Sequence, residues 1–213
     1  MAKLKKGIFG PLSGKLGNVI GSSWKGIAYI REETEKKENP PPRSPAQIAN
    51  EQKMNFVNTL LMPFHTYIEV GFQHLAIQKT ALSAAYSQNF HHAVIGVYPD
   101  LSVDYSKFMI SKGALPGLIS PNLELTAPDT LTIDWEDNTN PVASYDDLLM
   151  LVVYSPELHF SDGFIGGVKR ASKIADFTFD PQLIGKELEV YLGLVSSNGK
   201  KVANSVYMGR ITP

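Results

Sequence analysis

Glycines and a lysine at short spacing are the parts from which phosphate-binding loops are made, and this chain gathers them near its start. Residues 14–26 read GKLGNVIGSSWKG. A P-loop needs four residues between its first glycine and its Gly-Lys pair, then a serine or threonine for magnesium. Here three residues separate Gly10 from Gly14, and Lys15 is followed by Leu16. A dinucleotide fingerprint needs G-x-G-x-x-G between a strand and a helix. Gly14, Gly17 and Gly21 have another spacing, and a strand pattern follows them. The glycines are better explained by close backbone packing and bulges in a twisted hairpin. On that reading Trp24 is a packing anchor, with Lys15 and Lys25 on the solvent side.

The cations offer a second chemistry. Residues 1–31 hold Lys3, Lys5, Lys6, Lys15, Lys25 and Arg31 and no acid, whereas residues 114–213 hold 13 acids against 7 bases. Cations interleaved with Phe9, Trp24 and Tyr29 suit phosphates and stacked bases. They suit equally an acidic partner, or the chain's own acidic half. No helix-turn-helix or zinc-finger pattern accompanies them. The candidate partner-binding residues are Lys15, Trp24, Lys25 and Arg31.

Other chemistry finds little support. The histidines are His65, His74, His91, His92 and His159. His91 and His92 are adjacent, so on a helix they point about 100° apart and share a metal poorly. No H-E-x-x-H, G-x-S-x-G or kinase-type spacing occurs. Asp134, Glu136, Asp137, Asp146 and Asp147 could form a calcium site in strand loops, or simply solvated loop ends. Cysteine is absent, which removes disulfides and thiolate chemistry. No catalytic, cofactor or metal residue is assigned, and an enzyme is the least favoured class. The start lacks the apolar run of a secretory signal, and no stretch approaches the roughly 18 apolar residues of a membrane span. The expectation is a cytoplasmic protein, with signal-less export left open.

The surrounding elements follow from periodicity. LGNVIGSSW and IAYIRE flank Lys25-Gly26 and predict a β-hairpin. ETEKKENPPPR, residues 33–43, reads as an extended polyproline-like linker. Ser44-Pro45-Ala46-Gln47 is a capping box that opens a helix. Ala49, Phe56, Val57, Leu60, Leu61, Phe64 and Ile68 continue it at helical spacing. Pro63 must kink or restart it, and a third helical pattern spans about 80–95. This helical unit has too little core of its own, so it must pack on the hairpin or on the C-terminal part. Val103, Tyr105, Phe108 and Ile110 predict a strand. From residue 115 short strands recur, including the continuous apolar LLMLVVYSP at 148–156, and Ser197-Asn198-Gly199-Lys200 marks a final hairpin between 188–196 and 202–211. The expectation is an α+β chain in two parts. Residues 1–113 carry the basic arm, hairpin, linker and helical unit; residues 114–213 form a β-sandwich.

Two resemblances sharpen this. Trp135 on an early strand and Tyr191 on a late one make residues 115–213 similar to a fibronectin type III or immunoglobulin-like sandwich. Across nearly the whole chain, Gly14, Lys15, Gly17, Val19, Gly21, Trp24, Gly26, Arg31, Ser44, Pro45, Ala46 and Gln47, with the hairpin EVYLGLVSSNGKKVANSVYMG, resemble an uncharacterised bacterial family of unknown function. The front end is also similar to segments of phage and mobile-element proteins. The resemblances bring no activity, but the phage-like front end implies a structural or assembly role; with no catalytic motif, the expectation is a non-catalytic structural or protein-interaction component with a protein partner or self-association. The alternatives are nucleic-acid binding by the basic arm and a carbohydrate-binding module using Tyr145 and Phe164 on the sandwich.

Overall fold

The computed structural model of the chain describes residues 3, 4, 7, 10–34 and 41–213. Lys5, Lys6 and Phe9 of the basic arm, and residues 35–40 of the proline-rich linker, lie outside the described residues.

The arm is an antiparallel sheet of β1 (Lys3–Leu4), β2 (Leu12–Leu16), β3 (Val19–Trp24) and β4 (Ile27–Glu32), joined in sequence order. The hairpin expected at Lys25-Gly26 is present. Lys25 has φ 44° and Gly26 φ 86°, both left-handed, as a two-residue I′ turn demands.

The capping box at Ser44 also forms. The Gln47 backbone N–H donates to Ser44 Oγ at 3.3 Å, and the Ser44 N–H donates to Gln47 Oε1 at 2.8 Å. It starts α1 (Pro45–Leu61). Pro63 then imposes a single 3-10 turn, Met62–Phe64, and the chain restarts as α2 (His65–Gly71). Thr80 caps α3 (Ala81–His92). A two-stranded hairpin follows, β5 (Val94–Val97) and β6 (Asp100–Val103).

This corrects two expectations. The third helix stops at His92, because Val94 already belongs to β5. The strand expected over 103–110 does not continue past Val103. Asp104 accepts from the Ser106 N–H and Oγ, which turns the chain away from an extended course. Phe108 and Ile110 are buried as predicted, but from an irregular segment.

The C-terminal part is antiparallel throughout. Its strands are β7 (Ile119–Ala127), β8 (Thr130–Glu136), β9 (Leu148–Ser155), β10 (Phe160–Lys169), β11 (Ile174–Thr178), β12 (Leu188–Val195) and β13 (Val206–Ile211). One sheet has the order β10-β9-β12-β13 and the other β11-β8-β7. The last strand is shorter than expected. Val202 makes only a bridge to Val195, and β13 starts at Val206.

The continuous apolar run at 148–156 is explained by cover on both faces. Met150, Val152 and Tyr154 point one way and join Phe64, Ile68, Phe72 and Phe108. Leu149, Leu151 and Val153 point the other way, toward Leu131, Ile133, Trp135 and Phe179. Strand β12 divides similarly, Tyr191 and Val195 to the helices and Val190, Leu192 and Leu194 to the second sheet. The central sheet thus lies between a helical layer and a three-stranded sheet. The helical unit completes its core on the C-terminal part, one of the two placements expected. Phe64 is the hinge of that contact. Its ring centroid lies 4.8 Å from that of Phe108, 4.7 Å from Tyr154 and 6.3 Å from Tyr191.

Candidate interaction surface

The N-terminal sheet differs from the rest in what its side chains touch. Neither hydrophobic core draws a residue from it. Its strands make their substantial contacts with one another. Its one side-chain hydrogen bond to the body, among the described residues, runs from Lys25 Nζ to the Lys79 carbonyl at 2.6 Å.

The register assigns side chains to faces. In the β3–β4 pair Trp24 lies opposite Ile27, Ser22 opposite Tyr29 and Ile20 opposite Arg31. In the β2–β3 pair Lys15 lies opposite Ile20. Lys15, Trp24 and Arg31, three of the four candidate residues, therefore share one face with Ile27 and Tyr29. Lys25 occupies the turn at its end. The opposite face shows Leu16, Val19 and Ile30. Trp24 is 54% exposed and Ile30 66%. Trp24 is therefore no packing anchor; its cross-strand neighbour is Ile27, itself exposed. Lys15 is drawn to Glu33, Nζ to Oε1 at 2.7 Å. Arg31 makes no ion pair among the described residues.

The opening glycines are packing residues. A Cβ on Gly21 would overlap the Leu12 carbonyl oxygen and stand 2.6 Å from its carbon. Gly17 adopts φ 59° in the β2–β3 turn. No cradle for phosphate is formed; the residues of GKLGNVIGSSWKG build strands.

The other sequence candidates fall elsewhere. His91 and His92 border a depression of about 380 Å³ with Lys79, Gln88 and Lys112. His91 stacks edge-on against Phe90 at 5.2 Å. His159 Nδ1 lies 3.3 Å from Tyr154 Oη. Burial pushes the Tyr154 phenol up to about 12, so it keeps its proton at neutral pH and serves only as a neutral hydrogen-bonding group.

Of the five acids proposed for calcium, three reach cations rather than one another, and Asp134 accepts from Asn122 Nδ2 at 3.1 Å. Asp137 pairs with Lys173 at 2.6 Å and Asp146 with Lys169 at 2.6 Å. Asp147 is buried against Arg170 at 3.0 Å. No group of three or more potential metal ligands gathers among the described residues. Of the two aromatics named for sugar binding, Tyr145 is exposed beside Glu136, Asp137 and Asn138. Phe164 is half-buried and packs on Phe177 at 5.6 Å, so the two form no joint platform.

Two charged clusters, each built on a buried carboxylate, carried no sequence signal. Arg170 bonds Asp147 Oδ2, the Gly117 and Pro116 carbonyls, and shows its own carbonyl to Trp135 Nε1 at 2.8 Å. Glu189, fully buried, accepts from Tyr207 Oη at 2.5 Å and Arg210 Nε at 2.8 Å. Burial, then the hydrogen bond and charge of Glu189, push the Tyr207 phenol up to about 12. Both clusters join residues distant in sequence, so no local spacing reveals them.

No helix of the described residues is long and apolar enough to cross a membrane. No curated protein matches the chain. A family of unknown function, DUF6266, matches residues 11–209, a span that runs from the opening glycine stretch to the final strand. The chain belongs to that family, in agreement with the expected resemblance to an uncharacterised family of unknown function over nearly the whole chain.

Proposed function

We propose that the chain is a non-catalytic structural or protein-interaction component, cytoplasmic and of phage or mobile-element character, and that the N-terminal sheet is its docking element. One observation carries the reading. A four-stranded sheet shows apolar side chains on both faces and holds to the body by one side-chain bond among the described residues. Small sheets without cover are marginal in water, and exposed apolar patches of this kind mark sites of association. The β10-β9-β12-β13 and β11-β8-β7 sheets, with Trp135 in the core between them, support a fibronectin- or immunoglobulin-like sandwich as the rigid body that carries the arm, although Tyr191 faces the helices and not that core.

A second reading has its own support. Lys25 touches the Lys79 carbonyl, and Lys79 itself borders the depression that holds Lys112, His91 and His92. That arrangement suits a nucleic-acid backbone.

Removal of residues 1–43 separates the readings. Both hydrophobic cores lie outside that segment. The first reading predicts fewer copies per assembly by light scattering after trimming, and an unchanged oligomeric state counts against it. The second predicts steeply salt-dependent oligonucleotide binding that disappears in Lys15→Ala, Lys25→Ala, Arg31→Ala.

A further inference from the structure

The outer edge of β4 specifies its own partner. β4 pairs with β3 alone among the described residues, so one side of its backbone is open. Which groups face that side follows from the ladder. The Glu33 N–H donates to the Asn18 carbonyl at 2.8 Å, which makes Asn18 and Glu33 a hydrogen-bonded pair. Hydrogen-bonded and non-hydrogen-bonded pairs alternate along antiparallel strands. Arg31, Tyr29 and Ile27 therefore bond to β3. The N–H and C=O of Ala28, Ile30 and Glu32 point outward. The two-residue turn at Lys25-Gly26 agrees, because such a turn is closed by a hydrogen-bonded pair, here Trp24 and Ile27.

Edge strands in monomeric proteins are usually protected by charged side chains, proline, a bulge or a covering element. β4, IAYIRE, carries its two charges, Arg31 and Glu32, only at its C-terminal end, has no proline or lysine, pairs with β3 in unbroken register, and is exposed along its whole length.

We infer that two copies of this chain pair through β4, antiparallel and centred on Ile30, into one continuous sheet. This rests on the reading of the arm as the docking element and names its partner. The register is set by the groups themselves. With Ile30 opposite Ile30, Ala28 lies opposite Glu32 at both ends. All three outward residues of each strand then exchange both hydrogen bonds. Tyr29 lies opposite Arg31 twice, in the non-hydrogen-bonded positions where side chains approach most closely. A guanidinium over a tyrosine ring there is a cation–π contact. A shift of two residues one way sets Arg31 against Arg31. The same shift the other way leaves the outward groups of Glu32 unpaired. Residues 1–34 carry six cations against Glu32 and Glu33, a net of +4, so the pairing works against repulsion between the two arms and is expected to strengthen with salt. The two-fold axis keeps like faces together, so Trp24, Ile27 and Tyr29 of both copies form one aromatic face.

The full-length chain tests this. Ile30→Pro removes one outward N–H and leaves the β3 ladder intact, since proline is tolerated where the N–H of an edge strand faces away. The expected result is a dimer mass for the parent chain and a monomer mass for Ile30→Pro, with the far-UV circular dichroism per residue unchanged. The absence of cysteine allows a second test of register. Ile30→Cys is expected to form an interchain disulfide under mild oxidant, and Ala28→Cys is not, because residue 28 stands opposite residue 32. A monomeric parent chain, or crosslinking equal at both positions, overturns the pairing. An oligomer whose mass is unaffected by Ile30→Pro but lost on trimming residues 1–43 also overturns it, while leaving the arm as a docking element by another surface. Oligonucleotide binding by a monomeric chain overturns it in favour of the nucleic-acid reading.

Discussion

Replacement of Gly21 by alanine separates the arm from the body. Gly21 is buried under Leu12 although its sheet is otherwise exposed. An added Cβ would stand 2.6 Å from the Leu12 carbonyl carbon and 2.7 Å from the Leu12 Cβ, against the roughly 3.5–4.0 Å of an ordinary carbon contact. β2 must then move away from β3 by about 1 Å, and the obstacle is backbone rather than a flexible side-chain end. Overpacking of this kind costs about 1–3 kcal/mol. In the body that loss would be a fraction of the total stability. In a small sheet with little cover it is decisive. It corresponds to a roughly 5- to 150-fold fall in the closed population. Amide exchange across residues 12–33 reads it directly, with the amides of β9 and β12 as internal reference. The expected pattern is faster exchange in the arm and unchanged exchange in the core. Unchanged arm protection in Gly21→Ala would refute the close approach. Equal loss in arm and core would refute their independence.

The remaining expectations concern the body. Phe64→Ala removes the ring shared by the helices and the central sheet and should cost about 3–5 kcal/mol; a single cooperative transition with a Tm lower by about 10 °C is expected, and a change confined to the helical signal would contradict the shared core. Arg170→Ala leaves the buried Asp147 carboxylate without its cation and should cost about 3–5 kcal/mol, most of it recovered in Arg170→Met, Asp147→Leu; denaturant melts measure both, and a double variant no better than the single removes the buried charge as the cause. The phenols of Tyr67, Tyr154 and Tyr207 are pushed up to about 12, chiefly by burial, from an ordinary 10.0. A raised folded value means the unfolded chain ionises first, so stability holds below pH 10 and falls as the pH climbs to about 12. Absorbance titration should show these phenols ionising late, and nine tyrosines titrating together near 10 would contradict it.

Local signals in the sequence translated well where local chemistry decides the structure. Ser44, Pro45 and Gln47 need only each other to start a helix, and Lys25-Gly26 need only left-handed dihedrals to turn a hairpin. The LLMLVVYSP run was legible as a strand covered on both faces, because hydrophobicity on successive residues has no other use in a sheet. Failures came where a distant partner competes with the local pattern. Phe108 and Ile110 look like alternate residues of a strand, yet the Asp104–Ser106 turn and the buried Asn89 side chain, which accepts from the Met109 N–H, hold that segment irregular. Trp24 looked like core because tryptophan usually is, and only tertiary packing could leave it outside. The candidate surface was partly legible: Lys15, Trp24 and Arg31 were singled out, and strand register placed them on one face. The open edge of β4 was not, since nothing in IAYIRE tells whether another strand of the same chain covers it.

The most direct measurement is amide exchange of Ala28, Ile30 and Glu32 in the full-length chain as a function of concentration. These three amides are expected to exchange freely in dilute solution and to become protected as concentration rises, while those of Ile27, Tyr29 and Arg31 are protected throughout. Protection of Ala28, Ile30 and Glu32 that does not change with concentration would contradict the pairing through β4.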